Sequence, residues 1–423
     1  MAEEEPHHDG LKATATGLGP IDVVVGVATW NNATTVADIL RTARLGAKGL
    51  DQAVVVYADG GSLDGTPVRA QEVIGNDASG GATVVDLATR TQRRPRRGEG
   101  RAGAIQAIMS FADEVEARAC VILDADLQGV SEEWVRRLAD PVLDDVVDFV
   151  APYYTRPRFD GALTTGIVYP AVRALFGKRV RFPIASDFAC SAKLLDRCLA
   201  HGVASDLDLS RYGPELWLSV QALTGVSRLR QVVLGPKLAA PGAISDDLSK
   251  TIARVIGGLF AEMERHLAVW QKVRGSEPVE LDGQSPRAEL EPGAVESGRA
   301  LEAFRVGHRN LAEVWALALP PLTMVELKKL AHRPDPDLRF PDQLWARIIY
   351  DFALAFRLRK LSRDHLLAAF TPLYLGWFGS FVAEMSDATQ SGFDARVERL
   401  CLQYEAEKPY LISRWRWPDT FNP

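Results

Sequence analysis

Between Ile21 and Asp126 the chain alternates between apolar runs of strand type and segments of helical spacing, a pattern that few folds satisfy. The runs are IDVVVGVAT (Ile21–Thr29), QAVVVYAD (Gln52–Asp59), ATVVDLA (Ala82–Ala88) and ACVILDAD (Ala119–Asp126). NATTVADILRTAR, GTPVRAQEVI and RAGAIQAIMSFADEV lie between them and carry helical spacing. Runs that are apolar throughout suit parallel strands covered on both faces. The βαβαβαβ order predicts an α/β fold with an open, mostly parallel sheet. Ligands of such sheets bind beyond the carboxyl ends of the strands. The polar residues cluster at those ends: Thr29-Trp30-Asn31-Asn32, Asp59, and Asp124 with Asp126.

After residue 150 the pattern is mixed. VVDFVAPYYTRPRFDG reads as a strand entering a loop, and GIVYPAVRALFG and GPELWLSVQALTG as helices. FPIASDFACSAKLLDRCL reads as a short segment and a helix, SRLRQVVLG as a strand, and Asp246 to Lys272 as a long amphipathic helix. Residues 274–296 are rich in Pro, Gly and acid and read as a linker or surface loop. From Arg299 on, nearly everything reads as helix. The expected domains are a disordered leader (1–18), an α/β domain (19–273), that linker, and a helical C-terminal domain (297–423). The apolar stretch Leu366–Ala383 is about long enough to cross a bilayer. It contains Thr371, Pro372, Gly376, Gly379 and Ser380, so a buried helix pair broken near Pro372 is expected, with a membrane-touching hairpin as the lesser reading.

Bulk properties exclude some classes. A chain of 423 residues supports two domains. A net charge of -6 argues against a general nucleic-acid binder. Cys120, Cys190, Cys198 and Cys401 are widely spread, without zinc-site spacing or a disulfide framework, which suits a cytoplasmic protein. The N-terminus has no apolar signal core, and His7 and His8 read as part of a polar tail.

Four stretches point to chemistry. In Asp124-Ala125-Asp126 the two carboxylates lie on the same side of an extended chain. Divalent ions such as magnesium take one or two carboxylates together with substrate phosphates. YADGGSLDGT (Tyr57–Thr66) supplies a tight turn, a helix cap at Ser62 or Asp64, and Asp59 as an acceptor for a nucleobase or ribose. Arg90, Arg93, Arg94, Arg96, Arg97 and Arg101 lead into a helix, and Arg101 at its start is best placed to meet a phosphate. YYTRPRFDGALTTG brings Arg156, Arg158 and Asp160 near Thr164 and Thr165, a loop able to cradle a small anionic acceptor.

These motifs resemble those of GT-A fold glycosyltransferases that use nucleotide sugars. ATWNNATTV resembles T-Y-N-E, DGGSLDGT resembles D-x-G-S-x-D-x-T, GRAGAI resembles G-K-G-x-A with Arg101 for lysine, and DADL resembles the metal motif. The chain is most similar to the retaining branch that makes mannosylglycerate, glucosylglycerate or glucosyl-3-phosphoglycerate, over roughly residues 20 to 270. The resemblance implies that Ala28, Trp30, Asn32 and Asp59 line a nucleoside pocket and that Arg101 meets the diphosphate. It implies that Asp124 and Asp126 flank ribose and a divalent metal (Mg or Mn), with Asp126 the direct ligand. Arg156, Thr165 and Glu215 would face the acceptor. Asp126, Arg101 and Glu215 carry the expected catalysis.

Two departures stand out. The branch has P-L-G-G-E where this chain has PIASD (Pro183–Asp187), and a metal-ligand histidine where it has Ala239, in GPKLAAPG. Asp246 or Asp247 is the nearest substitute ligand. The expected activity is transfer of a hexose from a UDP- or GDP-hexose to a small hydroxyl acceptor, glycerate-like or a specialised metabolite. The alternative is a degenerate GT-A fold serving as a nucleotide-binding or scaffold module. The tryptophan-containing helical region is expected to serve as a homodimer interface or an acceptor lid.

Overall fold

The computed structural model describes residues 18–75, 81–87, 100–201, 211–225, 228–239, 248–284 and 297–418. The arginine run from Arg90 to Arg97, His7, His8, Asp246, Asp247 and residues 285–296 lie outside the described residues. Strands are β1 Val23–Thr29, β2 Ala53–Asp59, β3 Val84–Asp86, β4 Ala119–Asp124, β5 Leu127–Gln128, β6 Phe149–Thr155, β7 Lys178–Arg179, β8 Phe188–Ser191, β9 Leu229–Pro236, β10 Leu238–Ala239, β11 Glu277–Pro278 and β12 Glu280–Asp282. Helices are α1 Val36–Lys48, α2 Thr66–Ile74, α3 Gly100–Glu114, α4 Glu132–Leu143, α5 Tyr169–Phe176, α6 Ala192–Ala200, α7 Glu215–Thr224, α8 Leu248–Arg265, α9 Leu267–Trp270, α10 Ser297–Ala316, α11 Pro321–Ala331, α12 Asp342–Leu358, α13 Arg363–Met385, α14 Gln390–Ala406 and α15 Lys408–Arg416.

The described residues form two compact units. The first comprises 18–155, 182–239 and 279–284, and the second 156–181, 248–278 and 297–418, each with the gaps named above. The units are therefore interleaved along the chain.

The first unit is built on an eight-stranded sheet of order β12-β9-β6-β8-β4-β1-β2-β3. All neighbours are parallel except β8, which runs antiparallel between β4 and β6. The expected mostly parallel α/β sheet is present, and β1 and β4 are buried along their whole length. One face packs Val23, Val25 and Val27 against Ile39, Leu40, Val135 and Leu138 of α1 and α4. On the other face Gly26 has no side chain because Ile108 of α3 fills that space, at 2.4 Å from where a Cβ would stand. The acidic segment read as a linker supplies β12, the sheet's edge strand beside β9. An edge strand pairs through its backbone and tolerates charged side chains, so apolar patterning does not reveal it.

The second unit is helical apart from the short β7–β11 pair. The region read as one amphipathic helix from Asp246 to Lys272 is two helices, α8 and α9, which meet at His266. The expected break near Pro372 does not occur: α13 is one continuous helix with Pro372 inside it. Packing outweighs the lost backbone hydrogen bond. The Pro372 ring sits where Gly307 of α10 leaves room for it, while Phe304 and Leu301 of α10 fill the hollows at Gly376 and Gly379. Among the described residues α13 is the one helix long and apolar enough to cross a membrane, and 67% of its most apolar stretch is buried. Trp315, Trp345, Trp377 and Trp415 are buried in the unit's own core. All four cysteines are free and buried.

Candidate functional site

The site forms in the first unit at the carboxyl ends of β1, β2 and β4. Ala28 is buried in β1, level with Ala58 on one side and Asp124 on the other. Thr29 Oγ1 donates to Asp59 Oδ1 at 2.9 Å, which ties the two strand ends together. Asp59 Oδ2 accepts from the amides of Gly61 and Ser62 at 3.0 and 2.8 Å, and Oδ1 also accepts from Ser62 Oγ. The carboxylate expected to read a nucleobase or ribose thus organises its own turn. Trp30 exposes about half its surface, 53%. Asn31 takes φ 61° and pins the loop to the second turn, donating to Ser62 and accepting from Leu63. Asn32 is buried; its Nδ2 donates to Asp126 and its Oδ1 accepts from the Trp30 amide at 2.7 Å.

Arg101 stands in the first turn of α3, held there by a backbone contact. Gly60 lies so close to Gly100 that a Cβ would stand 2.1 Å from the Gly100 carbonyl oxygen. Arg101 Nη1 donates to Asp124 Oδ1 at 2.8 Å and lies 3.7 Å from Asp126 Oδ2; its Nε lies 3.6 Å from Glu215 Oε1. Its Nε and Nη2 are buried with no hydrogen-bond partner among the described residues. Glu215 opens α7.

Three residues beyond the expected set complete the cluster: Asp187, Lys237 and Tyr154. Because β8 is antiparallel to β4, with Phe188 opposite Ile122, Asp187 arrives beside the end of β4. Its Oδ1 accepts the Asp124 amide at 2.7 Å, and its Oδ2 accepts the Tyr154 hydroxyl. Lys237 follows β9, its amide bonded to the Thr155 carbonyl at 2.9 Å. Its Nζ lies 3.4 Å from Asp124 Oδ2, 3.7 Å from Asp187 Oδ2 and 4.6 Å from the centre of the Tyr154 ring. Such a cation over an aromatic face is favourable, the more so when shielded from water. Lys237 lies in the GPKLAAPG stretch, two residues before Ala239, which pairs with Leu127 in the β5–β10 ladder.

The electrostatics follow from this packing. Burial disfavours charge on Asp124, yet Arg101 and Lys237 outweigh it and hold the carboxyl well below the usual carboxylate range. Burial also works against the Arg101 charge, but Asp124, Glu215 and Asp126 raise its pKa above the usual arginine value. Asp187 is pushed upward, chiefly by burial and further by Asp124, against the pull of Lys237.

Fit to a divalent ion differs between the two expected ligands. Both oxygens of Asp124 face cations of the protein. Asp126 is half-exposed, at 48%. Among the described residues no group of three or more His, Cys, Asp or Glu could hold a metal. The described donors do not by themselves build a metal centre, and of the two expected ligands Asp126 is the more exposed.

Arg156 and Thr165 belong to the second unit. Arg156 pairs with Asp160 at 2.9 Å, and Thr165 Oγ1 accepts from Arg181 at 3.1 Å, inside the π-helical turn Thr164–Val168.

No family model and no curated protein matches the chain. Solved structures of glucosyl-3-phosphoglycerate synthase from Mycobacterium tuberculosis are similar to it. The complex with Mg2+ and uridine-diphosphate is 21% identical, with a TM-score of 0.38, over 61% of this chain and 83% of that one. The complex with Mn2+ and uridine-diphosphate-glucose is 22% identical, with a TM-score of 0.37, over 60% and 83%. At this identity and TM-score the similarity assigns no activity to the chain.

Proposed function

We propose that the protein is a GT-A glycosyltransferase that moves a hexose from a nucleoside diphosphate sugar to a small hydroxyl acceptor. The observation that carries this reading is Arg101: a buried guanidinium at the start of α3, with two nitrogens lacking hydrogen-bond partners among the described residues, beside the half-exposed Asp126. A helix N-terminus and a guanidinium together suit a diphosphate. In glycosyl transfer the main electrostatic problem is the negative charge that grows on the leaving diphosphate. Arg101 is placed to stabilise it, and Asp126 would hold a divalent ion on the phosphate oxygens. Such an ion offsets charge as a Lewis acid. Trp30 offers an exposed ring for a base to stack on, and Asn32 orients Asp126. The motif resemblance further implies retention, by a front-face displacement that needs no strong enzymatic base. The assignment of Arg156, Thr165 and Glu215 to the acceptor, glycerate-like or otherwise, rests on that resemblance.

The test is calorimetric titration with UDP, GDP and ADP in the presence of manganese, followed by turnover with the corresponding sugars. Saturable binding of one nucleotide and transfer of its sugar support the reading. Binding without turnover on any acceptor favours a nucleotide-binding module, and absence of all binding favours a scaffold.

A further inference from the structure

Among the described residues two lysines are largely withdrawn from water, Lys408 and Lys237, and they are held differently. Lys408 donates to two neutral carbonyls, of Ala174 and Val273, at 2.7 and 2.9 Å. Lys237 faces two carboxylates at longer range, Asp124 Oδ2 at 3.4 Å and Asp187 Oδ2 at 3.7 Å, with the Tyr154 ring beneath it. Its place is fixed from both sides. Its amide is bonded to the Thr155 carbonyl, and the next two residues, Leu238 and Ala239, pair with Gln128 and Leu127 just past Asp126. The two oxygens of Asp124 are used unequally. Oδ1 accepts from Arg101 at 2.8 Å and from the Asp126 amide at 3.1 Å, which takes up its two lone pairs. Oδ2 has, among the described residues, Lys237 alone. One acceptor position therefore remains on Oδ2. Asp124 stands level with Ala28, two residues before Trp30, and is bonded to Arg101. A ribose joins base to diphosphate, so with the base on Trp30 and the diphosphate at Arg101 its hydroxyls fall beside Asp124.

We infer that Lys237 is a positioning residue, which holds the Asp124 carboxylate ionised and in one orientation so that Oδ2 accepts a ribose hydroxyl. A lysine ammonium rides on a flexible four-carbon stem. The Tyr154 face and Asp187 narrow its range. The Tyr154 hydroxyl has a second effect: it occupies Asp187 Oδ2, the oxygen nearest Lys237, and so leaves the ammonium shared with Asp124. With Arg101 on one oxygen of Asp124 and Lys237 on the other, the carboxylate is held against rotation from both sides. Both cations also keep it below the usual carboxylate range. The inference rests on the nucleotide reading above and adds the means by which the site tells ribose from a deoxy sugar.

The experiment is calorimetry on the full chain in the presence of manganese, comparing UDP, GDP and ADP with the 2′-deoxy and 3′-deoxy counterparts of each. In the unaltered protein the nucleotide that binds should lose at least about tenfold in affinity when the accepted hydroxyl is removed, the worth of one hydrogen bond to a charged group. In Lys237→Met that ratio should fall toward one, while the deoxy form binds nearly as before. Tyr154→Phe frees Asp187 Oδ2 to draw Lys237 away from Asp124. It should lower the ratio part of the way, and it carries the test alone if Lys237→Met does not fold. A variant that melts cooperatively and keeps the full ratio overturns the inference, even where both affinities fall, since equal losses mark a merely structural lysine. A nucleotide that binds the unaltered protein equally well without either hydroxyl also overturns it, and leaves the diphosphate reading standing. Failure of every nucleotide to bind overturns both.

Discussion

The Asp124 amide donates to Asp187 Oδ1 at 2.7 Å, joining the last residue of a central parallel strand to the residue that leads into an antiparallel one. Asp187 also accepts from Tyr154 and lies near Lys237, so one buried carboxylate serves three groups. Asp187→Ala leaves the amide and the ammonium without that acceptor. The expected loss is about 3–5 kcal/mol, the usual result of breaking a buried pair from one side. Asp187→Asn keeps an acceptor for the amide and should lose less. Urea melts of both variants check the order.

Gly60→Ala tests how the second turn positions the site. Its Cβ would stand 2.1 Å from the Gly100 carbonyl oxygen, so the start of α3 must move, and Arg101 with it. Overpacking of this kind costs about 1–3 kcal/mol. Nucleotide affinity should fall more than stability does, which calorimetry and thermal melting on one preparation would show.

Gly166→Ala addresses the helical unit. Gly166 accepts hydrogen bonds from Trp345 Nε1 and the Tyr404 hydroxyl, and a Cβ there would stand 1.9 Å from the Trp377 ring. Trp377 stacks on Trp345 with ring centres 5.3 Å apart, so displacing one ring disturbs both. The expected cost is at least about 1–3 kcal/mol, with a change in tryptophan fluorescence.

Asp351 gives a pH signature. Burial raises its pKa to about 6, against the pull of Arg414 and Tyr410. An unfolded aspartate titrates near pH 3.9. Because the folded value is the higher one, the relative stabilisation is complete below about pH 4 and is lost as pH rises through about 6. It amounts to about 3 kcal/mol. The Tm difference between the unaltered protein and Asp351→Asn, measured from pH 4 to pH 7, should therefore shift against the unaltered protein as pH rises.

Local pattern made much of the first unit readable. The apolar runs of β1, β2 and β4 and the helical spacing of α1 and α3 are properties of neighbouring residues, and so is the position of Arg101 at a helix start. Contacts between distant segments are not. That Asp187 meets Asp124 depends on β8 running antiparallel, and Lys237 meets both because β9 lies beside β6, which in turn borders β8. Lys237 stood in the same short stretch as the missing histidine, yet nothing in its sequence neighbourhood marks it as a partner of residues 50 or more positions away. Pro372 is misread for a related reason: a proline's local preference is visible in sequence, but the glycine hollow that receives it is on another helix.

The interleaving of the two units has a consequence for synthesis. The sheet gains its last strand, β12, only when Asp282 has been made, long after β1 to β4 have left the ribosome. Segment 156–181 must in turn await partners such as Trp345, Glu398 and Tyr404, more than 150 residues downstream. Neither unit can finish folding as it emerges. A nascent chain stopped near residue 273 would carry β9 with an open edge and α5 with a buried-type arginine, Arg173, still lacking its glutamates. Stalled chains of this length are the form in which the protein should be most prone to aggregate and to need a chaperone.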